Sequence, residues 1–131
     1  MEPDDPRLSA YLHAAAGRRF AWGEADCWLF AADWCRLARG LDPAAAVRGR
    51  YRTALGAIRL ARRLGGLERM ARAAMAACGL AETSEPRVGD VALVQGTAQP
   101  VFAVRCATGW AAMADRGVAM GSFPVIVAWR L

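Results

Sequence analysis

Cys27 is the residue of this chain best suited to chemistry. It follows Asp26 in the run FAWGEADCWLFAADW, residues 20–34, where a glycine-containing turn leads into an amphipathic stretch. A thiol at a helix start faces unpaired backbone N–H groups and the positive end of the helix dipole, and both favour the thiolate. Acyl transfer needs more than a thiolate. A base must take the thiol proton and an acid must return one to the leaving group, each within hydrogen-bond reach. The single histidine, His13, lies upstream in another segment. Cys27 is thus the candidate catalytic residue and His13 the one imidazole that could serve it, against the plainer reading of His13 as a helix-surface residue among alanines. Asp115 could act as an acid only with a strongly raised pKa, for which the sequence gives no argument.

The other cysteines, Cys35, Cys78 and Cys106, form no C-x-x-C pair with Cys27 or with one another. Neither a zinc site nor a disulfide framework is indicated, and no cofactor motif is present, so metal and cofactor are both expected to be none. Free cysteines of this kind are most often buried apolar side chains. All seventeen basic residues are arginine, and the net charge is +5. The arginines are scattered rather than gathered, and no aromatic residues are interleaved with them as a single-strand groove would require. Solvated helix faces explain them better than a phosphate-binding patch, and nucleic acid is not the expected partner.

These residues need a scaffold, and 131 residues with 56% hydrophobic content fit one domain with a real core, 1–131. The acidic, proline-containing start MEPDDPRL lacks the pattern of a secretory signal, and arginines interrupt every apolar run, so no membrane span and a protein made in the cytosol are expected. The chain divides near Pro86 into an alanine-rich helical half, 1–85, and a valine-, glycine- and tryptophan-rich strand half, 86–131.

Asp4 or Asp5 with Pro6 predicts a first helix to about Gly17 that buries Leu8, Leu12 and Tyr11. Asp26, as N-cap, heads a second helix to Arg39 that stops at Gly40 and repeats Cys27, Phe30, Ala31, Trp34, Leu37 and Ala38 at helical spacing. Asp42-Pro43 predicts a short helix ended by Gly49, and Thr53 a helix through Leu55, Ile58 and Leu64 broken at Gly65-Gly66. Another carries Leu67, Met70, Ala74 and Cys78 and closes at Gly79, before the polar connection 81–90. Five β-prone runs follow, at 91–94, 101–106, 110–114, 118–121 and 125–129, with connections too short for crossover helices. They predict an antiparallel meander with the helices packed on one face, an α+β domain. Phe30 and Trp34 are the expected helix–sheet contacts. Trp22-Gly23 should shape the turn into the second helix, and Asp90 the turn before the first strand.

A helix headed by Asp-Cys, a helical middle and then Gly-Asp-Val opening an antiparallel sheet resembles the NlpC-type papain-like cell-wall peptidases. The phrase FAWGEADCWLFAADW with GLDPAAAVRGRYRTALGAIRLARRLGG is still more similar to a family of small proteins from phage and prophage tail gene clusters, relatives of those peptidases. The resemblance implies a papain-like fold in which Cys27 matches the nucleophile, Asp26 its preceding acid, and Gly89-Asp90 the pair before the first central strand. The family's histidine opens the next strand, yet this chain reads QPVFAVRC there, with Pro100 or Val101 at the expected place. The implied function is that of a structural or interaction component of a phage or phage-derived tail, at its tip, built on a catalytically degenerate fold. Its partners would be other tail proteins, with peptidoglycan as a further candidate. Its location would be the virion tail, or the cytoplasm if it is not virion-associated. The alternative is an active cysteine peptidase or amidase on cell-wall peptides through Cys27.

Overall fold

In the computed structural model, which describes residues 5–131, Asp5 caps the first helix by accepting from the Arg7 backbone N–H at 2.7 Å. That helix, α1, spans Pro6–Ala16, with the proline in its first turn where no donor is missed. The alternative start at Asp4 lies outside the described residues. Leu8 is fully buried, while Tyr11 and Leu12 pack partly buried against the core. Helix α2 spans Cys27–Arg39 and ends at Gly40 in the left-handed conformation. Tyr11 joins the two helices by stacking on Phe30 and donating its hydroxyl to the Phe30 carbonyl at 2.5 Å.

The predicted helix after Asp42-Pro43 does not form. Residues 43–49 instead make successive turns, with bonds from the Ala45 N–H to the Asp42 carbonyl and from the Val47 N–H to the Ala44 carbonyl. Arg48 pins this segment to α2 through Asp33 at 2.6 Å and to the segment's own start through Asp42 at 2.8 Å, ties that replace a helical ladder. Helix α3 spans Ala54–Arg63 behind its Thr53 cap, and α4 spans Leu67–Ala77 after the Gly65-Gly66 break. Leu60 and not Leu55, Ile58 or Leu64 is the buried residue of α3, and Leu37 of α2 is likewise exposed.

Six strands make one antiparallel sheet: β1 Glu82–Thr83, β2 Val91–Gln95, β3 Pro100–Cys106, β4 Gly109–Met113, β5 Val118–Gly121 and β6 Val125–Trp129. Their order is β1-β6-β2-β3-β4-β5, so only β2 to β5 form the expected meander. The final strand returns to the middle and pairs with β2 and with β1, a two-residue strand inside what reads as a polar connection. This topology forces the sheet to curl. Four strand spacings separate β5 from β6 and would measure roughly 19 Å in a flat sheet. The chain from Gly121 to Val125 reaches at most about 14 Å. A register shift between β2 and β6, where Ile126 is the extra residue opposite Leu93 and Val94, adds local twist.

Alternation along the strands divides the sheet's two faces. Val91, Leu93, Phe102, Val104, Val127 and Trp129 join the helices in the main core. Ala92, Val94, Ala103, Ala112 and Ala128 form a second cluster around Trp110, covered by Phe123 from the closing link. Alanines on the inside of the curl leave room for one large ring. Helix α2 lies across β3 and β4, and α1 touches β5, giving an α+β arrangement with the helices on one face.

Candidate functional site

Gly23 makes the turn into α2 possible. Its φ of 81° lies in the left-handed region, and a Cβ there would collide with the Tyr51 carbonyl oxygen. The turn closes with the Ala25 N–H on the Ala21 carbonyl at 2.8 Å and sets Asp26 at the N-cap. Asp26 is 1% exposed, and its carboxylate is held by three donors. The Leu29 N–H reaches Oδ1 at 2.9 Å, while the Gly23 N–H and the Tyr51 hydroxyl reach Oδ2 at 2.9 and 2.6 Å. Burial, and then the adjacent Asp26 carboxylate, push the Tyr51 hydroxyl far above its ordinary range, so it remains a proton donor.

Cys27 therefore occupies the first helical position, as the sequence leads one to expect, half-buried in the wall of a pocket of about 270 Å³. The pocket lies between the α3–α4 hairpin and the body formed by α2 and β3. Trp28 forms part of the body wall, its ring 4.4 Å from that of Phe102, and its indole N–H has no partner among the described residues. Gln99 and Pro100 lie at the β3 end, and Ile58, Ala61 and Arg62 of α3 at the other side.

The surroundings of the sulfur favour the protonated thiol. Burial pushes the Cys27 thiol up to about 11, Asp26 adds to the rise, and the backbones of Phe102 and Trp28 pull back only partly. The helix-start effect is outweighed by the apolar walls. The ionisable side chains lining the pocket besides Cys27 are Asp26, Tyr51 and Arg62. Asp26 is saturated by its donors, Tyr51 holds its proton, and a guanidinium has no lone pair to offer. On β3, Pro100, one of the two positions where the resemblance calls for a histidine, stands in the pocket wall, and Val101, the other, does not.

The remaining candidates lie elsewhere. His13 is exposed on α1 and does not line the pocket, and Asp115 is exposed between β4 and β5. Asp90 is buried and accepts from the Arg87 and Leu131 backbone N–H groups at 2.8 and 2.9 Å and from Arg130 Nε at 2.9 Å. Its neighbour Gly89 offers a carbonyl to Trp34 Nε1 at 2.8 Å. The Gly89-Asp90 pair thus ties α2, the start of β2 and the end of β6 together. Cys35 and Cys106 are buried, and Cys106 donates to the Gly109 carbonyl at 3.2 Å. Burial pushes the Cys35 thiol up to about 12. No group of histidine, cysteine and carboxylate side chains among the described residues could hold a metal ion. No helix among them is long and apolar enough to cross a membrane.

Sequence reasoning missed two features. Tyr51 lies 25 positions from Asp26, and nothing local marks the pair. Nor does the pattern of α3 reveal that Ile58 and Arg62 face a pocket, because an exposed isoleucine at helical spacing looks like a core residue.

A family model described as a domain of unknown function (DUF6950) matches residues 2–131. No curated protein and no solved structure matches the chain.

Proposed function

The chain belongs to the DUF6950 family, and we propose that it is a non-catalytic interaction module built on an NlpC-type papain-like framework, working as a component of a phage or phage-derived tail. The observation that carries the non-catalytic part is the setting of Cys27. A protonated thiol sits at a helix start with no group in its pocket able to accept a proton and later donate it. The framework elements named by the resemblance all have structural duties here. Asp26 fixes the helix entry, and Gly89-Asp90 clasp the sheet. With the chemistry gone, what the cleft retains is an open, largely apolar recess, the kind of feature that binds a partner.

The assignment to a tail, at its tip, rests on the likeness of residues 20–34 and 40–66 to phage and prophage tail-cluster proteins. Mass-spectrometric composition of purified particles and of their assembly intermediates tests it. The expected result is the chain in one or both, and its consistent absence overturns the tail role. Incubation with peptidoglycan fragments tests the non-catalytic part separately. Intact fragments are expected, and cleavage lost in Cys27→Ala overturns it.

A further inference from the structure

We infer that the Cys27 pocket is a docking site for an acidic protein segment that inserts one apolar side chain. This deepens the interaction reading above and rests on it. The size of the recess is the first argument. At about 270 Å³ it falls just below the roughly 300–1,000 Å³ typical of pockets that enclose a whole small-molecule ligand. One large side chain from a longer partner suits it better.

The lining is the second argument. Trp28, Leu60, Met70 and Phe102 are buried apolar walls, and Ile58, 48% exposed, stands at the rim beside Leu55 on the same helix. An apolar anchor entering this recess covers Ile58 and gains contact with walls that are already fixed.

Charge selects the partner. Helix α3 carries Arg59, Arg62 and Arg63 and no acidic residue, and Arg62 itself lines the pocket. Arg52 precedes the helix, and Arg69 follows on α4. None of these five has a carboxylate partner among the described residues. Glu68, the one acid nearby in sequence, is engaged by Arg72 at 3.1 Å. A recess with the unpaired Arg62 in its lining, on a helix whose other charges are also positive, attracts an acidic segment and speeds its encounter. A second copy of the chain would oppose one arginine-rich face to another, which like-charge repulsion disfavours. Nucleic acid would find the charge but not the platform, because Trp28 and Phe102 are buried with their rings tilted against each other rather than open for stacking.

Selection from a random displayed peptide library against the whole protein tests the inference. Binders should converge on a single phenylalanine, leucine, methionine or tryptophan flanked by aspartate or glutamate. Their affinity should fall about tenfold or more in Arg62→Glu, a reversal of charge at the rim, and comparably in Ile58→Glu. Both positions are exposed, and unchanged thermal unfolding shows that each variant folds. Neutral or basic consensus sequences, no enrichment, or binding indifferent to both substitutions overturns the proposal. So does binding to single- or double-stranded DNA that displaces the peptides and falls with Arg62→Glu, which would assign the face to nucleic acid. Cleavage of a bound acidic peptide, abolished in Cys27→Ala, would overturn the non-catalytic reading while leaving the acidic specificity standing. Intact peptides without acidic preference would do the reverse.

Discussion

Thiol reactivity at Cys27 offers a quantitative test of the reasoning about the pocket. Burial raises this thiol from an ordinary 9.0 to about 11. Each unit is a factor of ten in the ionised fraction, so at neutral pH Cys27 holds about a hundredfold less thiolate than an unperturbed cysteine. A more basic thiolate is also a better nucleophile. With a Brønsted slope of about 0.4–0.5 the same rise returns a factor of roughly ten, leaving a net deficit of about tenfold before any shielding by the pocket walls. The assay is modification of the folded protein by a small disulfide reagent, followed at the Cys27 peptide by mass spectrometry and compared with an unstructured cysteine peptide. The expected rate is at least about tenfold slower near neutral pH, climbing with pH until about 11. The linked stability has a definite sign. Because the folded chain holds the proton more tightly, the contribution is fully present below the unfolded thiol's pKa and is lost as pH rises from about 9 to about 11. A rate equal to or above that of the free peptide, or an inflection at or below 9.0, refutes the argument that apolar burial outweighs the helix start.

Three further outcomes follow from the same geometry. Asp26→Ala leaves three donors unanswered in a buried site and should cost about 3 kcal/mol, with Tyr51→Phe costing about 1.5–2, both measured by urea unfolding. Gly23→Ala must either strain a left-handed residue or push the Tyr51 backbone aside, and should lower stability by about 2 kcal/mol or more in a thermal or urea melt. Asp90→Ala releases Arg130 and the Arg87 and Leu131 amides together. A loss of about 2–3 kcal/mol is expected, with faster hydrogen exchange concentrated in β6 and the start of β2.

Local signals in the sequence led to most of the elements and to little of their assembly. Asp5, Asp26 and Thr53 each cap the helix they precede, because capping is decided within three residues. The Asp42-Pro43 helix failed where a local signal met a tertiary one, the double ion pair of Arg48. The pairing of β6 was hidden for a different reason. Short connections favour a neighbour as partner, and nothing in residues 122–124 states that the sheet curls far enough for β6 to arrive beside β2. Leu55 and Ile58 have core spacing yet stand in solvent, since a hydrophobic pattern marks a face without saying what lies opposite it. At the site, Cys27 at a helix start and the lack of a histidine on β3 were both legible. The depth of the thiol's burial and the Tyr51 contact were not, because both depend on segments brought together only by the fold.

The central place of β6 has a consequence for how the protein comes off the ribosome. Synthesis delivers β1 to β5 first, but β1 joins the sheet only through β6, and β2 is flanked on one side by β6 alone. Until residues 125–129 emerge from the exit tunnel, the nascent chain presents the backbone edge of β2, with Val91, Ala92 and Leu93, as an open template for other strands. The helical half can form early. Closing the sheet waits for β6, so a chain arrested shortly before Val125 exposes the middle of its core instead of losing a dispensable rim.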